Sequence, residues 1–352
     1  MDPVLEIVSL TKSFGTRVLL RDLCLSVFPG EILGLAGQSG SGKSSLFSIV
    51  CGFMGFDKGR ILVSGKDVSG LPPFRRQVGL VLQEYSLFPH MSVEANLRFG
   101  VAVDRNASIG SDDNLETLAR KFRIASLLKR RPDTLSGGEK QRVAVVRGIL
   151  AAPKVLLLDE PLGNLDSRTK RELLPEIRSY LKEASQAAVY VSHDLQELFG
   201  ISDRIAVLEQ GTIVQAGTAI ELYARPKNEF VARFIEGGNV LAVGGKAATD
   251  LNGIRSDSGI PAGGPRDRQS DGYLAVIRPE WLSDVRGDGW DPLGQSELLD
   301  QVYVGGRYRI EVRLPDGQQA YFYRSSRLDE RQVAMYYDPS AVVKLQEERC
   351  HD

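Results

Sequence analysis

Cysteine is scarce in this sequence, and no run of apolar residues approaches the length needed to cross a bilayer. The three cysteines, Cys24, Cys51 and Cys350, are odd in number and have neither disulfide nor metal-ligand spacing. Such usage favours a reducing cytosol over a secreted disulfide scaffold. No secretory signal pattern precedes Leu5. If the protein serves a membrane, we expect it to do so from the surface.

The sequence also lacks an excess of charge of either sign. It has 44 Lys and Arg residues against 45 Asp and Glu residues, which gives a formal net charge of -1. Nucleic-acid-binding proteins usually carry a strong basic field, so we expect no nucleic-acid partner. A chain of 352 residues exceeds one typical domain, and this length predicts two or three domains.

A glycine-rich loop, GQSGSGKSS, is the first chemical signal, and it fits G-x-x-x-x-G-K-[ST]. Its glycines let successive backbone N–H groups converge on a phosphate, while the lysine reaches the outer oxygens. Strand-like runs precede the loop, and Leu46, Ile49 and Val50 after it share one helical face, as a helix opened by a phosphate loop requires. The candidate nucleotide-binding residues of the loop are Gly37, Ser39, Gly40, Ser41, Gly42, Lys43, Ser44 and Ser45.

Short apolar runs alternate with helical patterns after the loop. The runs VLLLDE, AAVYVSH and DRIAVLEQG indicate strands, and SRTKRELLPEIRSYLKEA indicates a helix that Pro175 should kink or shorten. This alternation predicts parallel strands with crossover helices. Residues from about 85 to 153 carry three helical patterns and predict a helical insertion.

The composition changes after the stretch FIEGGNVLAV. Strand-like runs such as YLAVIRP, YRIEVRLP and QAYFYRS predict a second, all-β domain. We place the boundary near Glu236, which gives domains 1–236 and 237–352. Residues 244–272, rich in Gly, Ser and Asp, fit a disordered linker or a loop-rich part of that domain equally well.

A second motif, LSGGEKQR, places Ser136, Gly137 and Gly138 at the start of a helix, where free N–H groups and the helix dipole favour an anion. The alternative is an ordinary helix entry capped by Ser136. The Asp-Glu pair that ends VLLLDE supplies candidate acids. Glu160 follows the strand directly and can polarise a water molecule for attack on a phosphate, whereas the alternative is a carboxylate kept for solubility.

These motifs together resemble the ATP-binding cassette family, specifically the ATPase subunits of bacterial binding-protein-dependent importers. The resemblance covers residues 4–235, in the family's order: the phosphate loop, Gln83, LSGGEKQR, VLLLDE, NLD and His193. It implies an α/β fold with a P-loop NTPase (RecA-like) core, an antiparallel β subdomain and a helical insertion. It also implies ATP and Mg²⁺ as cofactors. The implied partner is a second copy, arranged head to tail so that Ser136–Gly138 face the other chain's phosphate loop.

The resemblance and the chemistry of the side chains assign further roles. Ser44 would ligate Mg²⁺, Asp159 would hold it through water, and Gln83 would touch the metal or the water. Glu160 is the expected general base. His193, which alone would more often be structural, matches the family's switch histidine that contacts the γ-phosphate.

Two more residues match the family pattern. Asp166 in GNLD resembles the loop that couples the two ATP sites across the dimer. Phe14 matches the aromatic residue that stacks on adenine, for which a flat face suffices. A core position beneath the first hairpin is the alternative for Phe14.

The stretches IRPEWL and VYVGGRYRIEVRLPDG resemble the transport-associated OB-like domain of importers of the maltose, polyamine, ferric iron, sulfate and molybdate groups. Small β-barrels of this kind can also bind oligonucleotides. We favour core and dimer contacts over a stacking platform for the aromatic residues of this region, which are Tyr303, Tyr308, Tyr321 and Phe322.

Three functions follow. The first is an importer ATPase, peripheral on the cytoplasmic face of the bacterial inner membrane. Its partners would be permease subunits and, indirectly, a periplasmic or lipid-anchored solute-binding protein. EPLGNLD and FIEGGNVL favour polyamine or ferric iron as the solute, with oxyanion or sugar still open. The second is a soluble ABC ATPase of repair or translation. The third, compatible with the first, is a C-terminal domain that senses a regulatory ligand.

Overall fold

The computed structural model of the chain describes residues 2–82, 86–102, 112–235, 238–243 and 273–345. Two compact units divide between Ala219 and Ile220. The expected boundary at Glu236 and the stretch 244–272 both lie outside the described residues, as does Gln83.

In the first unit, the described strands are β1 (Leu5–Phe14), β2 (Arg17–Val27), β3 (Ile32–Ala36), β4 (Lys58–Val63), β5 (Lys66–Asp67), β6 (Val78–Val81), β7 (Val155–Asp159), β8 (Ala187–Val191), β9 (Arg204–Glu209) and β10 (Thr212–Gly217). The described helices are α1 (Lys43–Cys51), α2 (Val93–Ala102), α3 (Asp112–Lys121), α4 (Gly137–Leu150), α5 (Ser167–Glu183) and α6 (Leu195–Ile201).

Two sheets organise this unit. The larger has the order β10-β9-β3-β8-β7-β6, and its strands from β9 to β6 are parallel. β10 pairs with β9 in the antiparallel direction at the edge. The smaller sheet, β2-β1-β4-β5, is antiparallel throughout. The α/β core with an antiparallel subdomain is thus confirmed.

One apolar cluster joins both sheets through α1. Leu23 of β2, Ile49 of α1 and Leu35 of β3 belong to it, together with Leu157 of β7 and Val189 of β8. All five residues of β3 and of β8 are buried, as expected of central parallel strands covered on both faces. The helix that follows the phosphate loop therefore packs against both sheets.

The helices between β6 and β7 agree with the predicted helical patterns, with one difference. One of the three predicted patterns, LETLARKFRIASLL (115–128), does not form a single helix, because α3 ends at Lys121 and Arg123 takes the left-handed conformation (φ 56°) before a short 3-10 turn. The predicted shortening of α5 is wrong, since that helix runs through Pro175 to Glu183. Pro175 is exposed, so the carbonyl group that it leaves without an N–H donor faces solvent.

The second unit contains, apart from the first residue of α7, the elements α7 (Ala219–Ala224), α8 (Glu229–Phe234), β11 (Asn239–Val243), β12 (Tyr273–Ile277), β13 (Leu282–Ser283), β14 (Asp291–Val304), β15 (Arg307–Arg313), β16 (Gln319–Arg324), β17 (Gln332–Tyr337) and β18 (Val343–Lys344). Its antiparallel sheets have the orders β11-β12-β18 and β13-β17-β14-β15-β16. This arrangement agrees with the small, OB-like β domain expected from the sequence.

The core of the second unit is formed by alternate residues of these strands, among them Ile310, Val312 and Met335. Of the predicted core aromatics, Phe322 is 1 % exposed, whereas Tyr303 is 63 % exposed at the β14–β15 hairpin and is not a core residue. Tyr321 lies half-buried with the Arg309 guanidinium 4.2 Å from its ring centre. In the described parts of the chain, no helix has the length and apolarity that a membrane span requires.

Candidate functional site

The phosphate loop connects the end of β3 to α1, and two glycines make its path possible. A Cβ atom at Gly37 would lie 2.4 Å from the carbonyl oxygen of Leu208, so only glycine fits there. Gly42, directly before α1, has a φ of 109°, which disfavours any residue with a side chain. The free N–H groups at the start of α1 therefore face the loop, as an anion site requires.

Lys43 supplies the cation of this loop. Its Nζ donates hydrogen bonds to the carbonyl oxygens of Gly37 at 2.7 Å and Gln38 at 2.9 Å. Burial lowers the pKa of Lys43, although the carboxylates of Asp159 and Glu160 act in the opposite direction. The lysine thus lies across the loop, where it can exchange these carbonyl partners for phosphate oxygens.

Asp159 ends β7 and lines the same cavity as Ser44 at the start of α1. Burial raises the pKa of Asp159, and the neighbouring charge of Glu160 raises it further. A divalent cation would relieve this unfavourable charge, and carboxylate and hydroxyl oxygens are ligands that Mg²⁺ accepts. The described residues contain no cluster of three His, Cys, Asp or Glu that could hold a metal, so phosphate oxygens and water molecules would complete its coordination.

Glu160 adopts a left-handed backbone conformation with a φ of 46°. Its N–H donates to the carbonyl oxygen of Val191 at 3.0 Å, which extends the pairing of β7 with β8 by one residue. The Glu160 carboxylate then lies 3.3 Å from Nδ1 of His193. The two expected catalytic side chains are therefore neighbours, because two adjacent parallel strands end beside each other.

A cavity of about 510 Å³ opens beside the phosphate loop, Asp159 and Glu160. The residues that line it are Phe14, Arg17, Leu19, Ser39, Gly40, Gly42, Lys43, Ser44, Ser45, Asp159, Glu160 and Val191. Phe14 is 54 % exposed at its rim, so the alternative of a core position is wrong. Arg17 and Leu19 are lining residues that the sequence analysis missed. Their place at the start of β2, three and five residues after Phe14, is the signal that could have found them.

The start of the LSGGEKQR motif does not line this cavity. Ser136 caps α4 in a capping box, accepting from the N–H of Glu139 at 3.3 Å while its own N–H donates to the Glu139 carboxylate at 2.7 Å. The capping role considered as an alternative is therefore present. None of the described lining residues of the cavity comes from Ser136–Gly138.

Gln141, one turn into α4, was also missed. Its side chain is 2 % exposed, donates to the Glu160 carbonyl oxygen at 3.2 Å and accepts from the N–H of Asn164 at 3.1 Å. A glutamine among the buried apolar residues of a helix is the sequence signal for such a contact. Asp166, two residues beyond Asn164, caps α5 by accepting from the N–H groups of Arg168 and Thr169.

Comparison with known proteins decides the family. A family model described as ABC transporter matches residues 20–163. The spermidine/putrescine import ATP-binding protein PotA of Rubrobacter xylanophilus is 35% identical over 344 residues, which cover 95% of this chain and 89% of that protein. The chain belongs to the ABC transporter family.

Other ABC proteins agree with this assignment. PotA of Acetivibrio thermocellus is 40% identical over 238 residues, covering 68% of each chain. A solved ATP-binding subunit of an ABC transporter is 25% identical with a TM-score of 0.57, covering 62% of this chain and 91% of that one. The dimeric cassette of a bacterial ABC transporter, 24% identical with a TM-score of 0.53, shares the fold over 61% of this chain and 98% of its own.

This chain is therefore an ABC ATPase, and the expected family, fold and enzyme class are confirmed. In this ABC protein the phosphate loop, Asp159, Glu160 and His193 meet at one edge of the parallel sheet. Gln83 lies outside the described residues. The roles of the individual residues remain predictions.

Proposed function

We propose that this chain is the ATP-hydrolysing subunit of a polyamine importer and works as a head-to-tail pair of copies. The observation that carries the proposal is the similarity to PotA of Rubrobacter xylanophilus, which extends over 95% of the chain and thus through the β domain. The relatives named above are spermidine/putrescine import proteins, and this favours polyamine over ferric iron, oxyanion or sugar as the solute.

The position of the LSGGEKQR motif supports the pair. The cavity contains the phosphate loop and the acidic residues of the same chain, but Ser136–Gly138 are not among its described lining residues. A second copy placed head to tail would present the start of its α4 to the phosphates. The dipole and free N–H groups of that helix favour such an anion.

Mg²⁺ fits the residues at the phosphate loop. Ser44 and Asp159 would hold it, since both line the cavity beside the phosphate loop. When bound, the ion supplies positive charge that neutralises the phosphate oxygens. Lys43 adds a further positive charge once it releases the loop carbonyls.

Hydrolysis then depends on Glu160 and His193. Glu160 lies in the cavity, where its carboxylate can accept a proton from the water molecule that attacks the γ-phosphate. Nδ1 of His193, 3.3 Å from that carboxylate, orients the imidazole ring, so that its other nitrogen is free to contact the phosphate. Closure of the pair would assemble the site, and hydrolysis would reopen it.

The membrane partner is a permease that docks near the segment following β6. Large apolar side chains that follow β6 are exposed, among them Leu82 at 43 % and Phe99 of α2 at 45 %. Exposed apolar residues of this size are typical of protein interaction sites. The chain would thus be a peripheral subunit at the cytoplasmic face of the membrane, reached indirectly by a solute-binding protein.

Glu160→Gln tests the hydrolytic role. We expect ATP binding to persist, turnover to fall by about 100-fold or more, and the closed pair to accumulate in the presence of ATP. Nucleotide binding, phosphate release and molecular mass by light scattering measure these three properties. Glu172→Gln, which changes a surface carboxylate paired with Arg123, is the control and should keep full turnover. Parental turnover in Glu160→Gln would remove Glu160 from the mechanism.

Recovery of partners tests the importer. The tagged chain is purified from detergent-solubilised native membranes, and its partners are identified by mass spectrometry. A permease should copurify, and the solute-binding protein that stimulates the complex should bind spermidine or putrescine in calorimetry. Binding of iron, an oxyanion or a sugar instead would overturn the polyamine assignment, and recovery of only soluble partners would overturn the importer.

A further inference from the structure

A buried carboxylate lies directly beneath the loop that carries His193. Glu197 on α6 is 5 % exposed, and both of its oxygens accept hydrogen bonds. Oε1 accepts from Nζ of Lys170 at 2.8 Å, while Oε2 accepts from the Ser192 hydroxyl at 2.9 Å and the Tyr190 hydroxyl at 3.1 Å. We call these four residues the Glu197 network. Its members come from α5, β8 and α6, as well as from the turn that follows β8.

The network fixes the backbone on both sides of His193. The Ser192 hydroxyl donates to Glu197 and accepts from the N–H of Asp194 at 3.0 Å. The Asp194 carboxylate in turn caps α6 through the N–H of Gln196 at 2.9 Å. His193 lies between these two fixed residues. Its side chain is 67 % exposed, and its Nδ1 lies 3.3 Å from the Glu160 carboxylate.

The same network reaches the loop that contains Asp166. Lys170 lies one turn into α5, and its N–H donates to the Asp166 carbonyl oxygen at 3.0 Å. Its ammonium group and the Glu197 carboxylate are both largely buried, with 15% and 6% of their side chains exposed. Such a pair contributes little net stability, because desolvation offsets attraction, but it permits few alternative arrangements. The pair therefore fixes the position of α5 relative to α6 and to the loop that carries His193.

Tyr190 acts as a hydrogen-bond donor in this network. Burial raises the pKa of its phenol well above the ordinary value, and the charge of Glu197 adds to this shift. The hydroxyl proton is thus retained at any working pH. All three partners of Glu197 are donors, and a carboxylate, which only accepts, is the group that matches them.

We propose that Glu197 is a positioning residue for ATP hydrolysis, which holds His193 against Glu160 and couples it to the Asp166 loop through Lys170. This inference rests on the proposed function, since it takes His193 to act in hydrolysis. Glu197 itself does not touch the nucleotide. A displacement of the Asp166 loop on closure of the pair would move Lys170 and, through Glu197, the backbone that carries His193.

Glu197→Gln tests the proposal in the purified full chain. Glutamine keeps the shape of the side chain but places an NH₂ group opposite a donor, so one side of the network loses its hydrogen bonds. We expect kcat to fall about 10-fold while KM for ATP changes by less than about twofold, because the hydrolytic step needs precise geometry and nucleotide binding does not depend on this loop. An unchanged kcat would overturn the proposal.

A spectroscopic measurement separates positioning from general stabilisation. The chain has three histidines, so the imidazole signal of His193 can be assigned by its loss in His193→Ala. Glu197→Gln should shift or broaden the His193 signal in the folded protein and leave that of His90 unchanged. A lower kcat with an unchanged His193 signal would overturn the positioning role.

Glu31→Gln is the matched control. Glu31 is also a buried carboxylate of the first unit, accepting from the N–H of Phe28 at 2.7 Å and pairing with Arg204 at 2.9 Å. The Glu31→Gln variant should be less stable than the parent yet keep the parental kcat and His193 signal. A change of that signal as large as in Glu197→Gln would overturn the proposal. Full kcat in His193→Ala would instead refute the role of His193, which distinguishes a failure of the proposed function from a failure of Glu197.

Discussion

The side-chain amide of Gln141 donates a hydrogen bond to the carbonyl oxygen of Glu160 at 3.2 Å. Its oxygen accepts from the N–H of Asn164 at 3.1 Å, so one side chain holds both ends of the turn that follows β7. Glu160 has a strained, left-handed φ of 46°, and a strained residue persists only where its surroundings fix it. The helix that begins with the Ser136 motif thereby supports the expected general base of its own chain.

Gln141→Leu should therefore impair turnover more than folding. We expect kcat to fall about 10-fold or more, because the turn that orients Glu160 loses both of its side-chain hydrogen bonds. Gln186→Leu is the matched control, since Gln186 is also buried and donates to the Pro153 carbonyl oxygen at 2.7 Å. Steady-state kinetics and thermal unfolding should show similar losses of stability but a normal kcat for the control. Equal kcat values in the two variants would contradict the prediction.

Asp159→Asn should stabilise the nucleotide-free protein at neutral pH. Burial and then Glu160 hold the pKa of Asp159 above its ordinary value of 3.8. Ionising this carboxyl in the folded state therefore costs stability, and the cost develops as the pH rises from the ordinary value through the raised one. Asparagine removes the cost, and we expect a Tm higher by about 1–3 °C at pH 7.

Calorimetry at several pH values checks this expectation. The difference in Tm between Asp159→Asn and the parent should shrink as the pH is lowered and vanish below about 3.8, where Asp159 is neutral in both the folded and the unfolded state. Asp67→Asn is the control and should lower the Tm at neutral pH, because a hydrogen bond from the Ser69 side chain lowers the pKa of Asp67. A Tm gain in Asp159→Asn that persists at acid pH would have another cause.

Phe14→Ala should weaken ATP binding without slowing hydrolysis. Phe14 lines the cavity with 54 % of its surface exposed, and Nζ of Lys12 lies 4.9 Å from the centre of its ring. Loss of a stacking contact predicts a KM for ATP about 3- to 10-fold higher at unchanged kcat. Phe14→Tyr should restore the KM. Phe53→Ala, which removes a ring that is 67 % exposed and not among the lining residues, should leave it unchanged.

Pro175→Ala should stabilise α5. Alanine restores an N–H donor for the carbonyl of Arg171 and is a better helix former, so we expect about 1–3 kcal/mol of added stability. The proline lies on the exposed face of the helix, and turnover should not change. A denaturant midpoint equal to or below that of the parent would show that Pro175 does not limit the stability of this helix.

The sequence predicted those parts of the site whose residues lie close together along the chain. The path from β3 through the loop to α1 follows from glycine and lysine spacing, and the ends of β7 and β8 follow from apolar runs that stop at charged or polar residues. Contacts made by packing were not predictable in this way. Arg17 reaches the cavity because two sheets share α1, and Gln141 meets Glu160 because α4 packs beside the end of β7.

The second unit shows another limit. β14 (Asp291–Val304) was not predicted as a single strand, since its polar and apolar residues do not alternate regularly. Register shifts near Pro292 and near Leu298 change the face to which its side chains point. The sequence of β14 therefore lacks the regular alternation of apolar and polar residues, although the strand is continuous in the fold.

The order of strands in the parallel sheet has a consequence for synthesis of the chain on the ribosome. β3, β8 and β7 lie side by side in the sheet, yet they end at residues 36, 191 and 159. The strand that enters between the other two is the last of the three to be made. A nascent chain that ends before residue 191 has the phosphate loop but not the completed pocket. Bound nucleotide can therefore stabilise only the sheet that already contains β8. ATP would thus stabilise the domain at a late step of folding, before the protein hydrolyses it.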